Sequence, residues 1–187
     1  MKKKSIAVVL ALVLLVCCAV GGVLAWLTAT SGPVVNTFTV GNVNIDLTET
    51  KDDFKMVPGN TIDKDPKVTV VGGSEDCWLF VKVDESTEPQ LSKYIAYTVD
   101  ESKWTKGDGT NIPKNVYYLA VSASESNQDF YVLTGNQVTV QDTVTKTMMD
   151  SISGENAPKP TLTFTAYACQ KANFDTAAAA WTANFAS

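Results

Sequence analysis

Four cysteines, several clustered carboxylates and a set of Trp and Tyr side chains are the groups in this chain able to act as nucleophile, metal ligand or ligand platform. Histidine is absent from all 187 residues. That absence removes every Ser-His-Asp and Cys-His arrangement and any HExxH zinc site. The carboxylate pairs Asp52 and Asp53, Asp63 and Asp65, and Glu75 and Asp76 each fall in a polar stretch and read as solvated charge. "DKDP" and "GDGTN" offer oxygens to a cation, yet neither has the spaced acids and closing glutamate of a calcium loop. "GDGTNI" also lacks the Lys-Ser/Thr pair of a phosphate loop. Trp78, Trp104, Tyr117 and Tyr118 form either a sugar-binding platform or cross-strand packing. No catalytic residue, metal or cofactor is expected, and the chain does not read as an enzyme.

Charge narrows the partners. Met1 to Ser5 carries three lysines ahead of an apolar run from Ile6 to Val20, followed by Gly21-Gly22 and the triplet Val23-Leu24-Ala25. These are the parts of a secretory leader, residues 1–25, with cleavage expected between Ala25 and Trp26 and Val23 at the other small-residue position. The 22 mostly apolar residues Ile6 to Leu27 are also long enough to span a bilayer if the leader stays attached. Beyond the leader, 12 lysines face 20 acids, a net charge of −8, and arginine is absent. Nucleic acid and anionic membrane surfaces are therefore poor partners.

What must position any site is a set of strands. Period-two alternation predicts strands at Asn36 to Val40, Val43 to Thr48, Lys67 to Val71, Cys77 to Val83, Tyr94 to Val99, Val116 to Val121, Asp129 to Leu133, Gln137 to Val140 and Thr161 to Gln170. "VPGNT" predicts a type II turn centred on Pro58 and Gly59. The apolar phase changes at Gly41-Asn42, as a bulge or bend would make it. Short strands with turn signals between them predict an all-β antiparallel sandwich. Phe174, Ala178, Trp181 and Phe185, spaced by four, three and four, predict one C-terminal helix capped by Asp175 or Thr176 and covering an edge or end of the sandwich. Cys77 falls on the apolar face of its strand and Cys169 on the opposite face of its own, so two free thiols are expected.

"AWLTATSGPVVNTFTVGNVNIDL", "VPGNT" with "KDPKVTVVGG", "CWLFVKV" and "TFTAYACQ" occur in this order. In this the chain resembles the TasA/camelysin family of Gram-positive biofilm-matrix proteins. The resemblance implies a jelly-roll-like sandwich, residues 36–187, secretion to the extracellular matrix or cell surface, and a leader cut by a dedicated signal peptidase of SipW type. It also implies head-to-tail self-assembly into fibres by donor-strand complementation, with other matrix proteins or polysaccharide as further partners. The donor would be the extended segment 26–35, with Trp26, Leu27, Thr28, Ala29 and Thr30 as the inserted strand and Gly32-Pro33 as hinge. The camelysin name carries a metalloprotease activity; without histidine no familiar zinc protease site can be built, and no catalytic residue is transferred. The alternative from the residues themselves is a carbohydrate- or host-binding sandwich module.

Overall fold

The run "CWLFVKVDE" dictates the architecture, because it is apolar on both faces for most of its length. Alternate residues Cys77, Leu79, Val81 and Val83 form one buried set, while Phe80 on the opposite face is equally buried. A strand of this kind must lie in the middle of a sheet and be covered above and below. The computed structural model describes residues 42–50 and 55–186 and shows that arrangement. Strand β4 (Cys77–Glu85) is flanked by β10 (Leu162–Gln170) and β7 (Val116–Val121), and β6 (Thr105–Lys106) follows β7, giving the order β10-β4-β7-β6.

The facing layer is built from two further sheets. One has β1 (Ile45–Thr48), β3 (Lys67–Val70) and β8 (Gln128–Tyr131) in the order β1-β3-β8. The other has β2 (Thr61–Asp63), β9 (Gln137–Val140) and β5 (Ile95–Ala96) in the order β2-β9-β5. Hydrogen bonds from Val132 N to Pro66 O and from Lys64 N to Asn136 O carry the ladder across the join, so the two sheets read as one bent layer. All the strand pairings are antiparallel. Val68 and Val70 from one layer meet Leu79, Val81, Val83 and Val121 from the other in the main core. Trp104 lies in that core 1% exposed, its indole N–H donating to Tyr131 O at 2.9 Å. The fold is thus the expected all-β antiparallel sandwich with a C-terminal helix.

That helix, α2 (Ala177–Asn184), is placed differently from the expectation. It lies over the outer face of the β10-β4-β7 sheet rather than at an edge or end. The reason is the outward aromatic set of that sheet. Phe80 packs 5.2 Å from Trp181, and Tyr167 stands edge-on to Trp181 at 5.6 Å (centroid distances), while Ala177 and Ala180 are buried with Ile112 and Val116. Leaving Phe80 in water would forgo roughly 1.5 to 3 kcal/mol. Thr176, not Asp175, is the N-cap, its hydroxyl accepting from Ala179 N at 3.2 Å.

Other differences have local causes. Helix α1 (Lys146–Ile152) is absent from the expectation, although Val144, Met148 and Ile152 recur every four residues; Thr145 caps it and Lys146 pairs with Asp150 at 2.7 Å. Strands β2 and β6 are too short to show alternation. The expected strand Tyr94 to Val99 shrinks to Ile95–Ala96, because Leu91–Lys93 forms a 3-10 turn whose carbonyl at Leu91 takes the Tyr94 N–H. The "VPGN" turn forms as expected: Asn60 N donates to Val57 O at 3.0 Å and Gly59 adopts φ +79°. The expected strand Asn36 to Val40 and the phase change at Gly41 lie outside the described residues.

Because the hydroxyl of Thr176 satisfies a free N–H of α2, Thr176→Ala should lower stability by about 1 kcal/mol, within a range of about 0.5 to 2. Urea unfolding should show a lower midpoint with an unchanged slope. An unaltered midpoint would mean that α2 does not contribute to the cooperative unit.

Candidate assembly edge and groove

The residues assigned to leader cleavage (Val23, Ala25, Trp26), to the donor strand (Trp26, Leu27, Thr28, Ala29, Thr30) and to the hinge (Gly32, Pro33) lie outside the described residues. The described residues present two terminal strands and a groove. Strand β10 pairs along all nine of its residues with β4 and, among the described residues, has no neighbour on its other side. Its sequence, "LTFTAYACQ", contains no charge and no proline. Strand β1 is likewise terminal in its sheet, and its Leu47 is 38% exposed. The two terminal strands lie close to each other, one from each layer.

At the Leu162 end of β10 the two layers part into a groove of about 800 Å³. Ile62 of β2, Val138 of β9, Ile95 of β5, Leu162 of β10 and Met149 and Ile152 of α1 supply apolar walls. The mouth is basic, with exposed Lys55 and Lys159. Lys64 lies at the groove 8% exposed, bonding Glu49 Oε1 through Nζ at 2.7 Å and standing 5.6 Å from the Phe164 ring centroid. A buried ammonium needs such company, since desolvating it without a partner costs several kcal/mol. The pair ties the end of β1 to β2, and the ring contact ties both to β10. Sequence reading missed this groove because two of its walls, β2 and α1, were not expected as elements.

The remaining candidate residues resolve into structural roles. Asp65 accepts from both the N–H and the hydroxyl of Thr50. Asp76 accepts from Ala123 N at 2.6 Å. Asp52 and Asp53 lie outside the described residues. In "GDGTNI", Asp108 Oδ1 gathers the N–H groups of Thr110, Asn111 and Ile112 at 2.8 to 3.1 Å, so this loop is held by its own aspartate. Among the described residues no group of three or more Cys, Asp or Glu side chains could hold a metal ion.

Cys77 and Cys169 are free: Cys77 is opposite Gln170 and Cys169 opposite Trp78, so neighbouring strands turn the two thiols to opposite faces, as parity required. Burial pushes the Cys77 thiol up to about 11, which leaves it protonated and unreactive near neutrality. Trp104 and Tyr117 belong to the inner core, whereas Trp78 and Tyr118 pack edge-to-face at 6.4 Å on the outer face. The four therefore do not share a face, and their packing role is plain.

Comparison with protein-family models, with curated proteins and with solved structures finds no match to this chain. Function must be argued from the geometry and the sequence.

Among the described residues, four aspartates have carboxyls held below their ordinary range. Backbone N–H groups from Thr110, Ile112 and Asn111 hold Asp108 well below the usual carboxylate range, and hydroxyls of Thr50, Ser102 and Thr69 lower Asp65, Asp100 and Asp129. A depressed folded-state value stabilises above the unfolded value of about 3.9 and loses that contribution as pH falls below it. Stability should thus be flat near neutrality and decline below about pH 4. Asp108→Ala should be less stable than the parent at pH 7, the two converging in strong acid, as followed by circular dichroism against urea. A constant difference at all pH values would contradict the assignment.

Proposed function

We propose that this chain is an exported structural subunit of an extracellular fibre or matrix, of the TasA/camelysin type, assembled head to tail by donation of residues 26–35 to the β10 edge and adjoining groove of the next copy. One observation carries the reading: among the described residues β10 is a nine-residue terminal strand with neither charge nor proline to protect it. Soluble proteins blunt such edges with lysines, prolines, bulges or short length, because an open ladder recruits another strand. An edge left plain is suited to receiving one.

The proposed donor matches in character. "WLTATSGPVV" has no charged side chain, and its inserted strand, Trp26 to Thr30 ahead of the Gly32-Pro33 hinge, reaches along about half of β10 at about 3.3 Å per residue. Before cleavage Trp26 and Leu27 belong to the apolar leader; after it they are bulky side chains at a free end. Burying each contributes roughly 2 to 3 kcal/mol, and each ladder hydrogen bond about 1 kcal/mol. Ordering the segment costs about 1 to 2 kcal/mol per residue, so strand donation nearly balances and needs further subunit contacts to proceed. A donor on one side and an acceptor on another make the contact heterologous, which propagates as a filament instead of closing as a dimer. On this reading a SipW-type peptidase controls assembly by freeing the donor.

Electron microscopy of the purified secreted chain, with and without residues 26–35, tests the reading. The intact chain should form filaments and the truncated one should not, yet the truncated chain should still accept a donor and shorten filaments when mixed in. Thr163→Lys, which places a charge on an exposed position of β10, should abolish acceptance while leaving donation intact. Filaments of equal length from truncated and intact chains would overturn the donor assignment. Monomers from both would overturn the structural role.

A further inference from the structure

On another side of the sandwich the two layers end in β5 and β6, each only two residues long. Between them lies a second cleft, of about 400 Å³. Its character is unlike that of the groove at β10. Tyr97, Tyr117, Glu85, Glu101, Lys106 and Gln141 line it, so it combines phenol rings, carboxylates, an ammonium and an amide. Tyr97 OH donates to Glu85 Oε1 at 2.7 Å, which fixes the carboxylate and leaves its second oxygen free to accept. Lys106 Nζ stands 5.7 Å from the Tyr117 ring centroid. Tyr97 is partly buried and its phenol is held protonated, first by desolvation and then by Glu85.

Edges of two residues cannot template a peptide strand, so β-augmentation is not what this cleft offers. Its volume falls at the low end of small-molecule sites, about 300 to 1,000 Å³. Acceptors (Glu85, held by Tyr97, and the exposed Glu101) and donors (the exposed Lys106, and Gln141, whose amide also donates to Ser92 O) stand together beside aromatic carbon. That set suits a ligand whose hydroxyls both donate and accept and whose ring presents C–H groups to an arene. The two carboxylates outnumber the one ammonium, which disfavours anionic glycans.

We propose that the cleft between β5 and β6 binds one or two units of a neutral hexopyranose glycan, with Glu85 and Glu101 accepting from sugar hydroxyls, Lys106 and Gln141 donating to them, and the exposed part of the Tyr97 ring against the sugar face. This site abuts the groove at β10 through Ile95, which lines both, but shares none of the groove's other lining residues and does not rest on the assembly reading. In a matrix subunit it would attach the protein to polysaccharide, whether that glycan is exported by the cell or forms part of its wall.

The test is an NMR titration of the ¹⁵N-labelled secreted chain with neutral gluco-, galacto- and N-acetylglucosamine oligosaccharides, a cationic glucosamine oligomer and an anionic polygalacturonate. Neutral oligomers should shift amides of residues 95–101, 106 and 117 with millimolar or tighter affinity, and polygalacturonate should not. A response to soluble glucan or galactan would indicate an exported glycan as the source, and one confined to N-acetylglucosamine oligomers a wall glycan. Glu101→Gln, and Tyr97→Phe, which keeps the ring, should each weaken binding about tenfold, while Thr163→Lys in the other groove should leave it unchanged. Thermal melts of these variants separate loss of binding from loss of fold. No shifts in the cleft with any neutral oligomer, or binding only to the cationic oligomer that salt abolishes, would overturn the proposal, and neither result bears on filament formation.

Discussion

The double burial of β4 is the constraint from which the rest of the molecule follows. Val81 and Phe80, neighbours in sequence, are both fully buried, one toward the facing layer and one toward α2. A strand can satisfy that condition only with sheet neighbours on both edges and a layer on both faces. The flanking strands β10 and β7 supply the first, and the bent layer and the C-terminal helix supply the second. The aromatic group under α2 is therefore the outer half of β4's environment, and Tyr167, Trp181 and Phe185 pack together there with centroid distances of 5.1 to 5.6 Å. Trp78 adds a long-range tie, its indole N–H donating to Phe174 O just before the helix.

Centring β4 has a consequence at the margins. With β4 on one side of β10, its other side is a boundary of the sheet among the described residues, and the strand carries no charge along its nine residues, although Thr163, Thr165 and Gln170 leave it less apolar than β4. The opposite boundary, β6, is short and carries Lys106. The sandwich is thus asymmetric in how its edges are protected: brief and charged at β6, long and plain at β10. At the first edge, two residues and the Lys106 ammonium leave little open ladder for another strand to pair with. The second has no strand beside it among the described residues, and on the proposed reading residues 26–35 of another copy cover it.

The fold class was legible because the strongest signals are the longest ones. "CWLFVKV" and "LTFTAYACQ" fall in the two nine-residue strands, and the turn at Pro58-Gly59 has chemistry that admits few conformations. Parity in those two strands was enough to separate Cys77 from Cys169. Illegible were the elements fixed by tertiary context. Three residues at Thr61–Asp63 and two at Thr105–Lys106 have no periodicity to read and become strands because β9 and β7 stand beside them. Helix α1 had a signal at Val144, Met148 and Ile152, masked by a surrounding Thr-rich stretch that resembles strand. The placement of α2 was not legible because parity marks one buried face, Cys77, Leu79, Val81 and Val83, and gives no sign that Phe80 on the other face anchors a second core.

Lys64 shows how the groove and the fold depend on each other. Its ammonium, held between Glu49 and the Phe164 ring, sits where β1, β2 and β10 converge and where the two layers begin to separate. An apolar side chain there would let the layers close and fill the space with carbon, as core packing favours. A charged one, restrained by a carboxylate and an arene, keeps a polar post at the junction and leaves the apolar walls of Ile62, Val138 and Leu162 facing one another across an opening. The opening thus follows from a buried charge that the interior must accommodate, and that same charge limits what can enter. On the proposed reading, an incoming segment would have to bring apolar side chains for the walls and keep cations away from Lys64; residues 26–35 have no charged side chain, and the α-amino group of Trp26 freed by cleavage would have to lie away from that ammonium.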